Sequence, residues 1–64
     1  MSKGYLVGEW VKFNTNTTPD DLYKIGEIIS INLNKEGKPI LYLIENKVMR
    51  YEIYPEQIIG EYNQ

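Results

Sequence analysis

Cysteine and histidine are both missing from these 64 residues. Disulfides are therefore excluded, and a zinc site would have to be built from carboxylates alone, against the metal's preference for sulfur and nitrogen. The lack of cysteine is compatible with a reducing cytoplasm. Only Ser2 and Ser30 offer a conventional serine nucleophile, and no imidazole exists to activate either. No glycine-rich phosphate loop is present. Asp20 with Asp21, and Glu45 with Glu52, are formal carboxylate pairs, but acid–base work needs pKa values driven apart by burial. The expectation is a non-enzymatic chain with no metal and no cofactor.

Positive charge is also in short supply. Nine acidic side chains outnumber seven basic ones, for a net charge of −2. Nucleic-acid binding draws on phosphate neutralisation, so it ranks low among the expected functions. Its one foothold is an edge made by Lys35, Lys38, Lys47 and Arg50. The longest apolar run, Pro39 to Ile44, is far too short to span a bilayer. Met1-Ser2-Lys3-Gly4 lacks the hydrophobic stretch of a signal peptide. No membrane association is expected, and the cytoplasm is the default location.

What the chain has is β-branched and aromatic residues in short runs broken by turn formers. No window keeps helical spacing for three turns. Strands are expected over Leu6 to Phe13, Ile25 to Leu33, Pro39 to Glu45, Val48 to Tyr54 and Ile59 to Tyr62. Val7, Val11 and Phe13 should share one face of the first strand, and Ile28 or Ile29 should point inward from the second. Residues 14 to 21 form the longest loop, with Leu22 and Tyr23 folding its far end back. Asn34 to Lys38 reads as a hairpin with Gly37 suited to positive φ. Asn46-Lys47 makes a second tight turn, and Pro55 starts a turn of 3₁₀ helix. The last strand should pair with the first. The whole is an all-β fold, a small five-stranded SH3-like barrel with one 3₁₀ turn before the last strand. It forms a single domain over residues 1–64, with 1–4 frayed.

Two features point to a partner. Ile40-Leu41-Tyr42-Leu43-Ile44 is apolar on both faces, whereas a strand with one wet face should alternate. A chain this short has a marginal core, and burying each Leu or Ile contributes about 1.5–3 kcal/mol. A homo-oligomer or an obligate protein partner is the expected outcome. The second feature is the aromatic load of six tyrosines and one tryptophan. Such residues bury large area at low entropic cost. By alternation Trp10 lies on the outer face, either covering Tyr23 or Tyr62 or anchoring a partner. Candidate binding residues are Trp10, Tyr42, Tyr51 and Tyr54, with Arg50 as polar anchor. Glu52, Ile53 and Tyr54 are candidates for a small-ligand site formed between subunits.

Val7-Gly8-Glu9-Trp10-Val11-Lys12 followed by Ile25-Gly26-Glu27-Ile28-Ile29 resembles the opening strands of SH3-like barrels, KOW and Tudor domains included. The KOW likeness implies RNA or ribosomal partners. Tyr51-Glu52-Ile53-Tyr54-Pro55 resembles the Val-Gln-Ile-Tyr-Pro segment of the type II dihydrofolate reductases, tetrameric SH3-like barrels with a shared central pore. Gly8 to Lys12 is similar to that family's Gly-Asp-Arg-Val-Arg. The resemblance implies a pore lined by Ile53 and Tyr54. Glu52 stands in place of the family's glutamine, and Phe13 about where it has a functional lysine. A ring of Glu52 would repel anionic folate and cofactor, so a repurposed intersubunit site is expected and not a reductase. Richness in Ile, Asn, Lys, Glu and Tyr suggests an AT-rich coding genome, bacterial or phage.

Overall fold

A computed structural model describes residues 4–15 and 22–63. Residues 1–3 of the stretch 1–4 expected to fray, and the part of the first loop that holds Pro19 and the Asp20–Asp21 pair, lie outside the described residues. The described residues form β1 (Trp10–Phe13), β2 (Lys24–Leu33), β3 (Pro39–Glu45), β4 (Arg50–Ile53), a 3₁₀ turn at Pro55–Gln57, and β5 (Ile58–Glu61). All five strands join one antiparallel sheet in the order β4-β3-β2-β1-β5. The last strand thus returns to the first, and the fold is all-β.

The first strand starts later than its apolar pattern suggests. Glu9 N–H donates to Leu6 O at 3.1 Å, and Leu6 N–H donates to the Glu9 carboxylate at 2.7 Å. That closes a tight turn with Gly8 at φ +98°, a conformation glycine adopts without steric cost. The reversal carries Val7 out of the core, where it is 61% exposed. Val7 therefore does not share the face of Val11 and Phe13.

Both later hairpins begin with an asparagine whose side chain replaces missing backbone partners. Asn34 Oδ1 accepts from the N–H groups of Glu36 and Lys38, each at 2.9 Å, with Gly37 at φ +82° as its composition suggests. Asn46 Oδ1 accepts from Val48 N–H at 2.8 Å and Met49 N–H at 2.9 Å. Asn46 Nδ2 also donates to Ile25 O at 2.9 Å, tying this turn to the start of β2.

The core consists of Val11, Phe13, Ile28, Tyr42, Ile44 and Ile53, with Tyr5, Ile31, Tyr51 and Ile58 packed on it. Two register shifts decide which residues belong to it. One falls at Ile29, between the Ile28–Ile44 and Ser30–Leu43 pairs. Ile28 is therefore the inward residue, and Ile29 is only half-buried. The other sets Leu33 opposite Pro39 and leaves Ile40 unpaired and 48% exposed. Between them Tyr42 and Ile44 point inward, and Leu41 and Leu43 stay half-buried on the opposite face. At Gly26 the strands come very close: a Cβ there would stand 2.6 Å from Ile44 Cγ2 and 3.1 Å from Glu45 O. Only a residue without a side chain fits.

At the far end, the 3₁₀ turn ties the end of β4 to the end of β1. Tyr54 N–H donates to Gln57 Oε1 at 2.8 Å, and Gln57 N–H to Tyr54 O at 2.9 Å. Gln57 Nε2 then reaches Asn14 O at 3.1 Å, while Asn14 N–H donates to Gln57 O at 2.9 Å. The end of β1 is thereby fastened to the turn that follows β4.

Candidate functional site

Two open grooves lie on the described surface, and Tyr51 lines both. The inner edge of Tyr51 is fixed by packing: it pairs with Ile44 across β3 and β4, and its ring meets Phe13 edge-on at 5.1 Å. Tyr51 thus forms a wall between the two grooves.

The larger groove, ≈ 590 Å³, gathers Trp10, Tyr23, Tyr51 and Tyr62 with Lys24, Lys47, Ile25, Asn46 and Val48. The register explains the gathering. Trp10 pairs with Glu27 and Lys12 with Ile25. Tyr62 is brought beside Trp10 by its N–H, which donates to Trp10 O at 2.8 Å. Asn46 holds the β3–β4 turn against Ile25, placing Lys47 and Val48 on the other bank. Tyr23 is 51% exposed, and the Lys12 ammonium sits 5.5 Å from its ring centroid, a cation–π contact. No carboxylate lines this groove among the described residues.

The smaller groove, ≈ 520 Å³, runs beside β4 and the 3₁₀ turn and is lined by Thr15, Tyr51, Glu52, Ile53, Tyr54, Glu56 and Gln57. Its charges are Glu52 and Glu56, with no cation among the described lining residues. Tyr54 is 56% exposed there, whereas Ile53 offers only its edge because it is buried in the core.

The residues proposed from sequence are thus divided. Trp10 and Tyr51 come together in the larger groove, and Tyr51, Glu52, Ile53 and Tyr54 in the smaller. Tyr42 is a correction: it is a core residue, 3% exposed, and cannot serve as an exposed anchor. Its ring meets Tyr5 edge-on at 6.1 Å. Burial pushes its hydroxyl above the ordinary pKa of 10.0, and the nearby Tyr5 and Glu9 add to the shift against a backbone hydrogen bond at Tyr5. Arg50 lines neither groove; it spans to Glu45, with its Nη2 3.0 Å from Oε2, a cross-strand ion pair on the outer face. In the same register Glu52 faces Leu43, so Glu45 and Glu52 are not directly opposed across the hairpin.

The expected basic edge does not assemble either. Lys35 and Lys38 sit in the hairpin before β3, and Lys47 and Arg50 at the opposite end of that seven-residue strand. The separation is about 20 Å along the strand. Among the described residues, no group of three or more carboxylates comes together to hold a metal ion. No helix among them is long and apolar enough to cross a membrane. No protein-family model, curated protein or solved structure matches the chain.

Sequence reasoning missed Lys24, Lys47, Ile25 and Val48 as groove residues. The signal was available in part: Tyr23 and Tyr62 are natural neighbours of an outward Trp10. The lysines come from opposite sides of a hairpin, and only the β2–β3 register brings them to one place.

Proposed function

We propose that the chain closes as a small SH3-like barrel and acts as a non-enzymatic interaction module that holds a segment of a protein partner in the Trp10 groove. One observation carries this reading: Trp10, Tyr23, Tyr51 and Tyr62 line a single open groove. Aromatic side chains of this kind dominate the energetics of protein interfaces, being large, stiff and polar at one tip. An open groove leaves one side of its occupant in water, which suits a polypeptide segment better than a small molecule that needs most of its surface covered. The strand order, the long first loop, the two tight hairpins and the 3₁₀ turn before β5 support the SH3-like closure. A cytoplasmic bacterial or phage setting fits the composition.

The test is affinity capture with the wild-type chain and a Trp10→Ala variant as baits in a lysate of the source cells. A protein held by the first and released by the second, and then shifting Trp10 emission when purified, is the expected result. Identical retention by both baits would remove the groove from the interface.

A second reading has its own observation. Tyr51, Glu52, Ile53 and Tyr54 are consecutive and line the smaller groove with Glu56. This favours a small cationic ligand at a site completed by a second subunit, the arrangement implied by the resemblance to the type II reductases. The apolar stripe of β3, with Ile40 48% exposed, supports self-association. Spermidine should raise the melting temperature under this reading, and folate should not. Light scattering that finds a monodisperse monomer at high micromolar concentration would sink the intersubunit version.

A further inference from the structure

The larger groove carries its positive charge at one end. Ile25 is the centre of that end. Lys12 is its partner across β1 and β2, and Lys24 is its chain neighbour. Continuing the β2–β3 register past Glu27–Glu45 sets Lys47 beside it, where Asn46 Nδ2 bonds Ile25 O at 2.9 Å. Three of the chain's seven basic residues therefore surround one position in a protein of net charge −2. Among the described residues, none of the three ammonium groups is engaged in an ion pair; Lys12 instead faces the Tyr23 ring. Along the same face the charge then reverses. Glu27 lies opposite Trp10 on one side and Glu45 on the other. Beyond Tyr51 lies the acidic groove of Glu52 and Glu56.

We infer that the occupant of this groove is an acidic, extended segment of a partner polypeptide. Its carboxylates sit over Lys24 and Lys47, with Lys12 behind them against the Tyr23 ring, and an uncharged ring or apolar side chain that follows lies against Trp10 and Tyr62. This rests on the reading that the groove binds a protein segment, and it names the chemistry of that segment. Charge complementarity selects the class. A single-stranded nucleic acid would also stack on these rings, but its phosphates continue at regular spacing and need cations along the whole track. Here a polyanion leaving the lysine cluster would run into Glu27 or into the acidic groove, Glu45 being already paired with Arg50. A peptide can confine its negative charge to one end.

The experiment uses the full chain and an array of immobilised random-sequence peptides of about ten residues. The sole tryptophan then reports on soluble copies of the retained peptides, and oligothymidylate is titrated in parallel. Expected is enrichment of Asp and Glu next to proline or aromatic residues, with a shift in Trp10 emission. The Lys24→Glu, Lys47→Glu double variant should lose about tenfold or more in affinity for those peptides, and raising salt from about 0.02 M to about 0.5 M should weaken the wild type in the same direction. The melting temperature of the variant separates lost charge from lost fold, and Lys24→Gln with Lys47→Gln gives an intermediate loss. Retention of uncharged or basic peptides that still shift Trp10 would overturn the acidic assignment and leave the protein-binding reading intact. Retention of no peptide that touches Trp10 would overturn both. Tighter Trp10 quenching by oligothymidylate than by any peptide would replace the occupant with nucleic acid.

Discussion

The two grooves share the ring of Tyr51, have similar volumes and lie a few residues apart in the sheet, yet their chemistry is opposite. One has four aromatic rings and two lysines, and the other two glutamates beside Tyr51 and Tyr54. The difference arises from how each is assembled. The acidic groove is lined mostly by consecutive residues, Tyr51 to Tyr54 with Glu56 and Gln57, so its character can be read along the chain. The aromatic groove takes residues from β1, β2, the β3–β4 turn and the end of β5, and exists only once the sheet is in register. Surface built from distant segments gains its identity late, and loses it to any change that shifts the register.

The comparison can be broken outright at Tyr51. Tyr51→Ala removes the wall between the grooves and the edge contact with Phe13, at a cost of about 2–3 kcal/mol for a large half-buried ring. Total stability for this length is roughly 3–10 kcal/mol, so urea melts should show a large loss and Trp10 emission should move with it. An unchanged melt would mean that the ring is not a structural wall.

Gly26→Ala sharpens the contrast. The added methyl would meet the branched, stiff Ile44 side chain at 2.6 Å and the Glu45 carbonyl at 3.1 Å. Overpacking of this kind costs about 1–3 kcal/mol. Because Gly26 adjoins Ile25, the aromatic groove should be disturbed first. Amide exchange at β2 should rise while Gln57 keeps its protection, and uniform exchange across both regions would contradict this.

Asn46→Ala acts on one bank alone. It deletes three hydrogen bonds, to Ile25 O and from Val48 and Met49 N–H, and should cost about 1–2 kcal/mol by denaturant melting. The peptide affinity of the aromatic groove should fall with it, and any ligand of the acidic groove should be held as before. Equal losses at both sites would show that the grooves are not independent.

The smallest effect is on pH. Tyr42 is neutral in the fold and its pKa lies above 10.0, whereas in the unfolded chain it ionises near that value. Stability from this group is therefore complete below pH 10 and declines as the pH rises past it, because the unfolded state then loses the proton more readily. Tyr42→Phe should flatten the alkaline limb of the melting curve, and a limb unchanged in the variant would assign it to other groups.

Much of the sheet was legible before the structure. β3 has the bounds its composition suggests, β2 differs by one residue, and the pairing of last strand with first follows the expected order. The end of β1 nearest the N-terminus was not legible, because Leu6 and Val7 look like strand and only the positive φ of Gly8 turns the chain. Tyr42 was misplaced for a related reason. A run apolar at every position carries no parity, so its inward side is fixed by the shifts at Ile29 and Ile40. The site was legible as residue types and not as a place. An outward Trp10 with tyrosine neighbours follows from alternation, but Lys24 and Lys47 are 23 positions apart and their meeting depends on the hairpin register.

The bonds between Asn14 and Gln57 also bear on the order in which the sheet can assemble. β2, β3 and β4 each pair with the strand next to them in the chain. β1 comes before them in the chain, but one of its edges waits for β5, and its end is fastened only by residue 57, 43 positions away. Contacts of such separation are slow to form, since a long loop must close first. A free chain cut before Gln57 would keep the β2–β3–β4 meander with β1 along one side, leaving the other edge of β1 open to any strand nearby. The same polypeptide is thus most exposed to wrong pairing while that edge of β1 is unfilled.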